Sequence, residues 1–230
     1  MAFSTYYLPW GMIGGDYYAM ERVGKNCFAF MLSDVSGHGV ASSLLSVTIG
    51  RLLTPQVSSS SLLVRNQNGS KEPRVTPVAE VAAELNRRFP MEDQNGLYFT
   101  MVYGVLNLET LDFRYVTTGH PPLVHTPHDG KPVPLSASGT PIGWIEDMQY
   151  DEEVLQLQPG DRLYLYSDGI PEAMDAEMKQ FGDRQMLEIL ELGKSQSLDQ
   201  SVAQLQNAVE RWCVKNGPKD DVSLLGLEIC

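Results

Sequence analysis

The sequence predicts an α+β domain in which antiparallel sheets are covered by helices. Three observations lead to this prediction. Short apolar or alternating runs typical of strands fill the middle of the chain, amphipathic helical patterns lie before and after them, and turn residues separate successive runs. Helices on both sides of such strands can bury the apolar face of each element. Because no linker-like segment divides the helices from the strands, we expect a single domain over residues 1–230.

The first third of the chain predicts one buried strand and two helices. Cys27–Leu32 is a short apolar run that delivers the carboxylate of Asp34 at its end, and Val40–Leu53 has a helical pattern. Residues 55–77 are rich in serine, asparagine and proline and offer little to bury, so we expect a mobile loop insertion there. After this loop, apolar residues recur at helical spacing over Val78–Phe89.

The rest of the chain predicts strands followed by helices. A meander of four strands is expected, over Tyr98–Leu106, Leu111–Thr117, Leu123–Thr126 and Val133–Leu135. A hairpin, two helices and a last strand follow, over Val154–Leu157 with Arg162–Ser167, Asp183–Leu192, Leu198–Lys215 and Val222–Ile229. One stripe of the second helix should face the core, namely Leu198, Val202, Leu205, Val209 and Trp212.

Composition excludes several classes of function. With 17 Lys and Arg against 29 Asp and Glu, the net charge is −12, which disfavours binding to nucleic acid and to anionic membranes. The three cysteines, Cys27, Cys213 and Cys230, form no CxxC pair, so neither a disulfide framework nor a zinc knuckle is indicated. No leader pattern and no run of about 18 apolar residues occurs. We therefore expect a soluble, cytoplasmic chain.

Four acidic residues, Asp16, Asp34, Asp168 and Asp220, share one pattern. Each lies at a predicted strand end, and most stand beside glycine. Carboxylates gathered at sheet ends repel one another, and divalent cations relieve that repulsion. An all-oxygen site suits Mg²⁺ or Mn²⁺ rather than Zn²⁺, and two such ions can share a hydroxide that attacks phosphorus. The alternative is that these acids are turn residues, since aspartate and glycine dominate turns.

Eight short motifs stand in a fixed order along the chain. They are Gly14-Gly15-Asp16-Tyr17-Tyr18, Asp34-Val35-Ser36-Gly37-His38-Gly39, Phe99-Thr100-Met101, Thr118-Gly119-His120-Pro121-Pro122, Gly139-Thr140-Pro141-Ile142-Gly143, Pro159-Gly160-Asp161, Tyr166-Ser167-Asp168-Gly169 and Asp220-Asp221-Val222-Ser223. In this order they resemble the SpoIIE/RsbU-type bacterial phosphatases, over about residues 8–229. The resemblance implies the metal-dependent (PPM, type 2C-like) serine/threonine phosphatase superfamily. It also implies an α-β-β-α layered sandwich with two Mn²⁺ or Mg²⁺ ions at one edge.

Position by position, the resemblance implies a set of metal ligands. Asp34 would bridge both ions, and Val35 would offer its backbone carbonyl to one of them. Asp16 would be the other ligand of that ion, while Asp168 and Asp220 would hold the second ion.

The resemblance assigns Asp221 to orienting metal-bound water, although the roles of Asp220 and Asp221 can be exchanged. His38 stands where a protonated imidazole could donate to the leaving serine oxygen. Alternatively, Gly37-His38-Gly39 only shapes the strand-to-helix turn, and backbone amides there stabilise phosphate. His120 is expected to be structural, with its ring bonded inside a turn. Two further histidines carry no signal above background, His125 and His128.

The implied activity is hydrolysis of phosphoserine or phosphothreonine by a metal-bridged hydroxide. The substrate would be a phosphorylated anti-sigma-factor antagonist or a similar partner-switching protein. Family members usually carry an N-terminal sensory or receiver domain, as in two-component signal transduction, so we expect an excised output domain or a minimal phosphatase. A homodimer would form through N-terminal regions that this sequence does not include.

Other chemistries lack support in the sequence. It contains no P-loop, no His-Glu-x-x-His zinc-protease motif and no Gly-x-Ser-x-Gly elbow. The competing hypothesis is a pseudophosphatase, a silent module that binds its partner without cleaving it. The complete set of four acids favours the enzyme, because a silent domain has no need to keep repelling carboxylates together.

Overall fold

The computed structural model describes residues 1–11, 13–55, 61–65, 73–135, 139–213 and 217–230. In chain order its regular elements are β1 (Ala2–Leu8), β2 (Tyr17–Arg22), β3 (Cys27–Val35), α1 (Val40–Leu52), β4 (Val64–Arg65), β5 (Arg74–Val75), α2 (Val78–Arg88), a 3₁₀ turn (Met91–Gln94), β6 (Phe99–Asn107), β7 (Asp112–Thr118), β8 (Val124–Thr126), β9 (Val133–Pro134), β10 (Glu153–Gln156), β11 (Arg162–Tyr166), α3 (Asp183–Gly193), α4 (Leu198–Trp212) and β12 (Val222–Glu228).

The chain divides into two compact units, each built around one antiparallel sheet. The first unit comprises Met1–Asp16, Pro121–Ser136 and Gln158–Cys230, and the second comprises Tyr17–His120 and Ala137–Leu157. The expectation of one domain over residues 1–230 stays a prediction.

The first unit packs α4 on a sheet of order β1-β12-β11-β8-β9, and α3 packs against α4. Strand β1 is an edge strand whose Tyr6 lies in the core. Helix α4 buries the predicted stripe, because its apolar residues recur every three or four positions. Trp212 is only partly buried and packs edge-on against Phe181, with ring centroids 5.8 Å apart. The predicted core-facing stripe is confirmed.

A capping box fixes where α4 begins. The side chain of Ser197 accepts a hydrogen bond from the backbone N–H of Gln200, and the Gln200 side chain accepts one from the N–H of Ser197. This reciprocal pair satisfies two backbone donors that the first helical turn leaves without partners.

The second unit packs α1 and α2 on a sheet of order β10-β7-β6-β3-β2. Strand β3 lies inside this sheet, and its run Ala29–Leu32 is fully buried. Helix α2 carries Val78, Val81, Ala82 and Leu85 on its buried face. The register of β3 against β6 places Asp34 opposite Thr100, near the end of β3 and the start of β6.

The predicted hairpin of Val154–Leu157 with Arg162–Ser167 is wrong. Strand β10 pairs with β7, whereas β11 pairs with β12 and β8 in the other sheet. The turn between them instead folds around the Asp161 carboxylate, which accepts the backbone N–H groups of Gln158 and His128. The predicted meander is also interrupted, because β7 and β8 belong to different sheets.

The prediction for residues 55–77 needs a partial correction. Residues 56–60 and 66–72 lie outside the described part of the chain, so mobility there stays a prediction. In the described part, however, Leu62, Leu63 and Val64 are buried in the core of the second unit, and β4 pairs with β5. The short apolar run between the two polar tracts therefore contributes to the core of the second unit.

The predicted α+β class, with two antiparallel sheets covered by helices, is confirmed. Across the residues that the structure describes, every helix is too short or too polar to cross a bilayer.

Candidate active site

Three strand ends meet at one edge of the first sheet. In the antiparallel pairing, Leu8 at the end of β1 lies opposite Val222 at the start of β12, and β11 runs antiparallel to β12 up to Tyr166. The segment after β11, which carries Asp168, and the segment before β12, which carries Asp220, therefore lie at the same edge. The chain that follows β1 lies along this edge and reaches Asp16.

Asp221 is the buried centre of this edge. Its Oδ1 accepts the backbone N–H of Trp10 at 2.8 Å, and its Oδ2 accepts the N–H groups of Gly15 at 2.6 Å and Asp16 at 3.2 Å. The residue is only 6% exposed. A side chain at Gly14 would overlap the Asp221 carboxylate, so glycine is needed there for this close approach.

Asp16 is held from its side chain as well. The hydroxyl of Ser223 donates a 2.6 Å hydrogen bond to Oδ2 of Asp16, and both residues are buried. Ser223 is itself fixed, because its N–H donates to the Ser167 hydroxyl at 2.9 Å and its carbonyl accepts the Ser167 N–H at 3.0 Å. Sequence analysis missed both serines; the signal was a polar residue within an otherwise apolar strand end.

Asp168 and Asp220 act on each other electrostatically. Burial, followed by the negative charges of Asp220 and Glu172, raises the pKa of the Asp168 carboxyl to about 6. Asp220 is exposed, and its Oδ1 accepts the N–H of Asp221 at 2.8 Å. A divalent cation would relieve this repulsion, and carboxylate oxygens are the ligands that Mn²⁺ and Mg²⁺ prefer. The residues present here thus fit such an ion.

The second unit holds the other two predicted ligands, Asp34 and Val35, in the last two positions of β3. Asp34 is half-buried and Val35 is buried. Ser36 continues the pairing beyond the strand, since its N–H donates to the Tyr98 carbonyl and its hydroxyl accepts the Tyr98 N–H. The backbone around Asp34 is therefore held by β6.

His38 lies exposed in the turn between β3 and α1. Its neighbours Gly37 and Gly39 have φ angles of 78° and 92°, a region that favours glycine. The Gly39 carbonyl accepts hydrogen bonds from the hydroxyls of Ser42 and Ser43, which fixes the start of α1. The glycines shape this turn, and the general-acid role of His38 stays a prediction.

The remaining histidines have structural partners. His120 is buried and its Nδ1 lies 2.8 Å from the Thr100 hydroxyl, so the ring is bonded to the neighbouring strand β6 rather than inside its own turn. His125 Nε2 lies 3.0 Å from Oδ2 of Asp161. The backbone of His128 donates to the same carboxylate. Sequence analysis found no signal for the last two.

Within the described ranges, no three His, Cys, Asp or Glu side chains are grouped so that they could hold a metal ion. Each predicted ligand thus has a defined place in its own unit, and the complete ligand set stays a prediction.

Comparison with known proteins identifies the family. The family model for stage II sporulation protein E, SpoIIE, matches residues 24–229. Phosphoserine phosphatase RsbP of Bacillus subtilis is 26% identical over 166 residues, which cover 72% of this chain and 38% of RsbP. The chain spans less than half of the length of the curated relatives that lead this comparison.

Solved structures share the fold. The PP2C phosphatase domain of SpoIIE from Bacillus subtilis superimposes with a TM-score of 0.77 at 19% identity, covering 99% of this chain and 63% of that one. RsbX in complex with magnesium gives a TM-score of 0.62 at 20% identity, covering 97% and 93%. The resemblance found in the motifs is confirmed, and the chain belongs to the SpoIIE family.

Proposed function

We propose that this chain is a metal-dependent protein phosphatase domain that hydrolyses phosphoserine or phosphothreonine on a partner protein. The observation that carries the proposal is the acidic edge of the first unit, which is the sheet edge that holds Asp16, Asp168, Asp220 and Asp221. There, burial and then the nearby negative charge of Asp220 raise the pKa of the Asp168 carboxyl. Carboxyl groups with raised pKa values concentrate at functional sites. Family membership and the relative named phosphoserine phosphatase support this assignment.

Two Mn²⁺ or Mg²⁺ ions are the proposed cofactors. Asp168 and Asp220 would hold one ion, Asp34 would bridge to the other, and Asp16 and the Val35 carbonyl would complete its protein ligands. Ions bound there supply positive charge that activates water and offsets the charge of the phosphate oxygens. The magnesium in the RsbX structure supports an ion of this kind.

His38 and the backbone amides at the start of α1 are the groups proposed to meet the phosphoryl group. An exposed imidazole can donate a proton to the leaving serine oxygen, and N–H groups at a helix start attract anions. Replacing His38 by asparagine separates the two roles. If His38 is the general acid, the variant loses the limb of the pH–rate profile that His38 produces. If only the backbone amides act, the profile keeps its shape.

The proposed substrate is a small phosphorylated protein of the partner-switching kind, such as a phosphorylated anti-sigma-factor antagonist. RsbP, of which the chain spans 38%, is named a phosphoserine phosphatase, and this supports a phosphorylated serine as the target. Signalling in the cytoplasm and assembly as a homodimer through further N-terminal regions belong to the same proposal.

A second candidate function is a silent binding module, and one observation favours it. The described residues contain no ready group of three acids that could hold a metal. A module of this kind would bind its partner with the same affinity whether or not the partner is phosphorylated.

Hydrolysis of a phosphoserine peptide with Mn²⁺ by matched variants separates the two candidates. Asp168→Asn should lower turnover by at least about 100-fold, because it removes a proposed ligand. Asp175→Asn is the control, since Asp175 lies in the same β11–α3 connection and its Oδ1 accepts the N–H groups of Glu177 and Lys179. Equal turnover in both variants would reject the assignment of Asp168, and no turnover in any chain would favour the binding module.

A further inference from the structure

We propose that Asp221 is a positioning residue that sets the place of Asp16, rather than a group that contacts a metal or its water. The inference rests on the proposed function for its consequence in catalysis. Its structural basis is one carboxylate that ties down the segment from Trp10 to Asp16.

The Asp221 carboxylate is already engaged on both oxygens. Three backbone N–H groups donate to it, those of Trp10, Gly15 and Asp16, at 2.6 to 3.2 Å. A carboxylate has about four acceptor positions, so three are taken by the backbone. A buried charge is costly unless hydrogen bonds compensate it, and charge-assisted bonds to N–H groups are among the strongest. Asp221 therefore already has the partners that a buried carboxylate needs.

The hydrogen bonds to Asp221 hold the backbone at Asp16, which is a proposed metal ligand. Two of the three donors are the N–H of Asp16 itself and that of the preceding Gly15. The Asp16 side chain is fixed separately by Ser223, which lies two residues beyond Asp221 at the start of β12. One strand end thus fixes both the backbone and the carboxylate of Asp16.

Asp220 offers a direct contrast. It is exposed, and its Oδ1 accepts the N–H of Asp221 at 2.8 Å. The geometry therefore divides the pair, with Asp220 as the ligand and Asp221 as the anchor of the Trp10–Asp16 segment. This division decides an exchange of roles that the sequence leaves open.

Amide hydrogen exchange on the metal-free chain tests the anchor without any use of activity. In the wild type, the N–H groups of Gly15 and Asp16 should exchange slowly. In Asp221→Asn, an NH₂ group replaces one acceptor oxygen and the remaining oxygen cannot serve both sides of the carboxylate, so the N–H of Trp10, or those of Gly15 and Asp16, should exchange at least about tenfold faster. Asp220→Asn is the matched control and should leave these amides protected. Fast exchange of the Gly15 and Asp16 amides in the wild type would overturn the proposal, and this result does not depend on whether the variant folds. Unchanged protection of all the amides that Asp221 binds would overturn it as well when measured in Asp221→Asn.

Mn²⁺ titration then tests the consequence for the site. Asp221→Asn should weaken Mn²⁺ binding by about 10–100-fold, as measured by calorimetry, while turnover at saturating Mn²⁺ recovers to near the wild-type value. A water-orienting Asp221 would give the opposite split, with unchanged Mn²⁺ affinity and a kcat that saturating metal does not restore. If the wild type binds Mn²⁺ but shows no turnover, the proposed function fails while the exchange and binding results still decide the role of Asp221.

Discussion

The hydroxyl of Ser223 donates a 2.6 Å hydrogen bond to the carboxylate of Asp16, joining two residues that lie 207 positions apart in the chain. Both residues are buried, so the bond is sheltered from competing water. It links the segment after the first strand to the start of the last strand. The acidic edge thus depends on contacts between the two ends of the sequence.

Removing that hydroxyl should destabilise the metal-free chain. Ser223→Ala leaves a buried carboxylate without its donor, and a hydrogen bond to a charged group contributes about 1.5–3 kcal/mol. Urea unfolding of Ser223→Ala, Asp16→Ala and the double variant measures the pairwise energy. The two effects should be less than additive, because each substitution removes the same bond. Strict additivity would show that the two side chains do not interact.

Relative to the wild type, Asp220→Asn should be more stable without metal and less stable with saturating Mn²⁺. Without metal, the variant should melt at a higher temperature than the wild type, because the charge that repels Asp168 is gone. The asparagine Oδ1 can still accept the N–H of Asp221. Mn²⁺ at 100 times Kd should stabilise the wild type by about 2.7 kcal/mol and so raise its Tm. The Tm of the variant should rise much less. An equal Mn²⁺ effect on both chains would exclude Asp220 as a ligand.

The ion pairs of α2 should give stability that depends on pH. Hydrogen bonds from Arg87 and then Arg88 lower the pKa of the Glu84 carboxyl from 4.5 to about 2. Because the pKa is lower in the folded state, this stabilisation is complete above about pH 4.5 and is lost as the pH falls through 2. The pairs are partly exposed, so Glu84→Gln should cost no more than about 1 kcal/mol at pH 7. Chemical unfolding at several pH values should show the difference from wild type shrinking below pH 4.5; a constant difference would contradict it.

Core packing under α4 should dominate the stability of the first unit. Leu205 is fully buried, so Leu205→Ala should cost about 2–5 kcal/mol in the free energy of unfolding. Leu192 is 66% exposed and provides the control, since Leu192→Ala should cost about 0.5 kcal/mol or less. Similar losses in the two variants would mean that α4 does not pack as described.

Local patterns in the sequence predicted the helices well. The stripe of α4 is periodic and a capping box marks its start, so the start and the buried face could be inferred, whereas the helix ends at Trp212 and not at the predicted Lys215. Strand pairing was harder, because the partner of β11 is β12, far along the chain, and not the neighbouring β10. The turn at Asp161 looked like a hairpin turn because proline, glycine and aspartate also serve other turns.

The candidate site shows the same division. The pattern selects the four acids because each stands at a predicted strand end, mostly beside glycine, and their role as ligands stays a prediction. Their hydrogen-bond partners could not be found, because the bonds from Ser223 to Asp16 and from the Trp10 N–H to Asp221 join distant parts of the chain. Motifs therefore select candidate carboxylates, whereas the fold decides which hydrogen-bond partners each of them has.

Hydrolysis of a phosphoserine peptide by this chain, measured with Mn²⁺, with Mg²⁺ and with a chelator, tests the central claim most directly. A metal-dependent phosphatase should turn over with at least one of the two ions and stop when the chelator removes it. Turnover that persists in the chelator would contradict the metal-dependent mechanism. Absence of both turnover and Mn²⁺ binding would contradict the enzyme itself and leave a binding module.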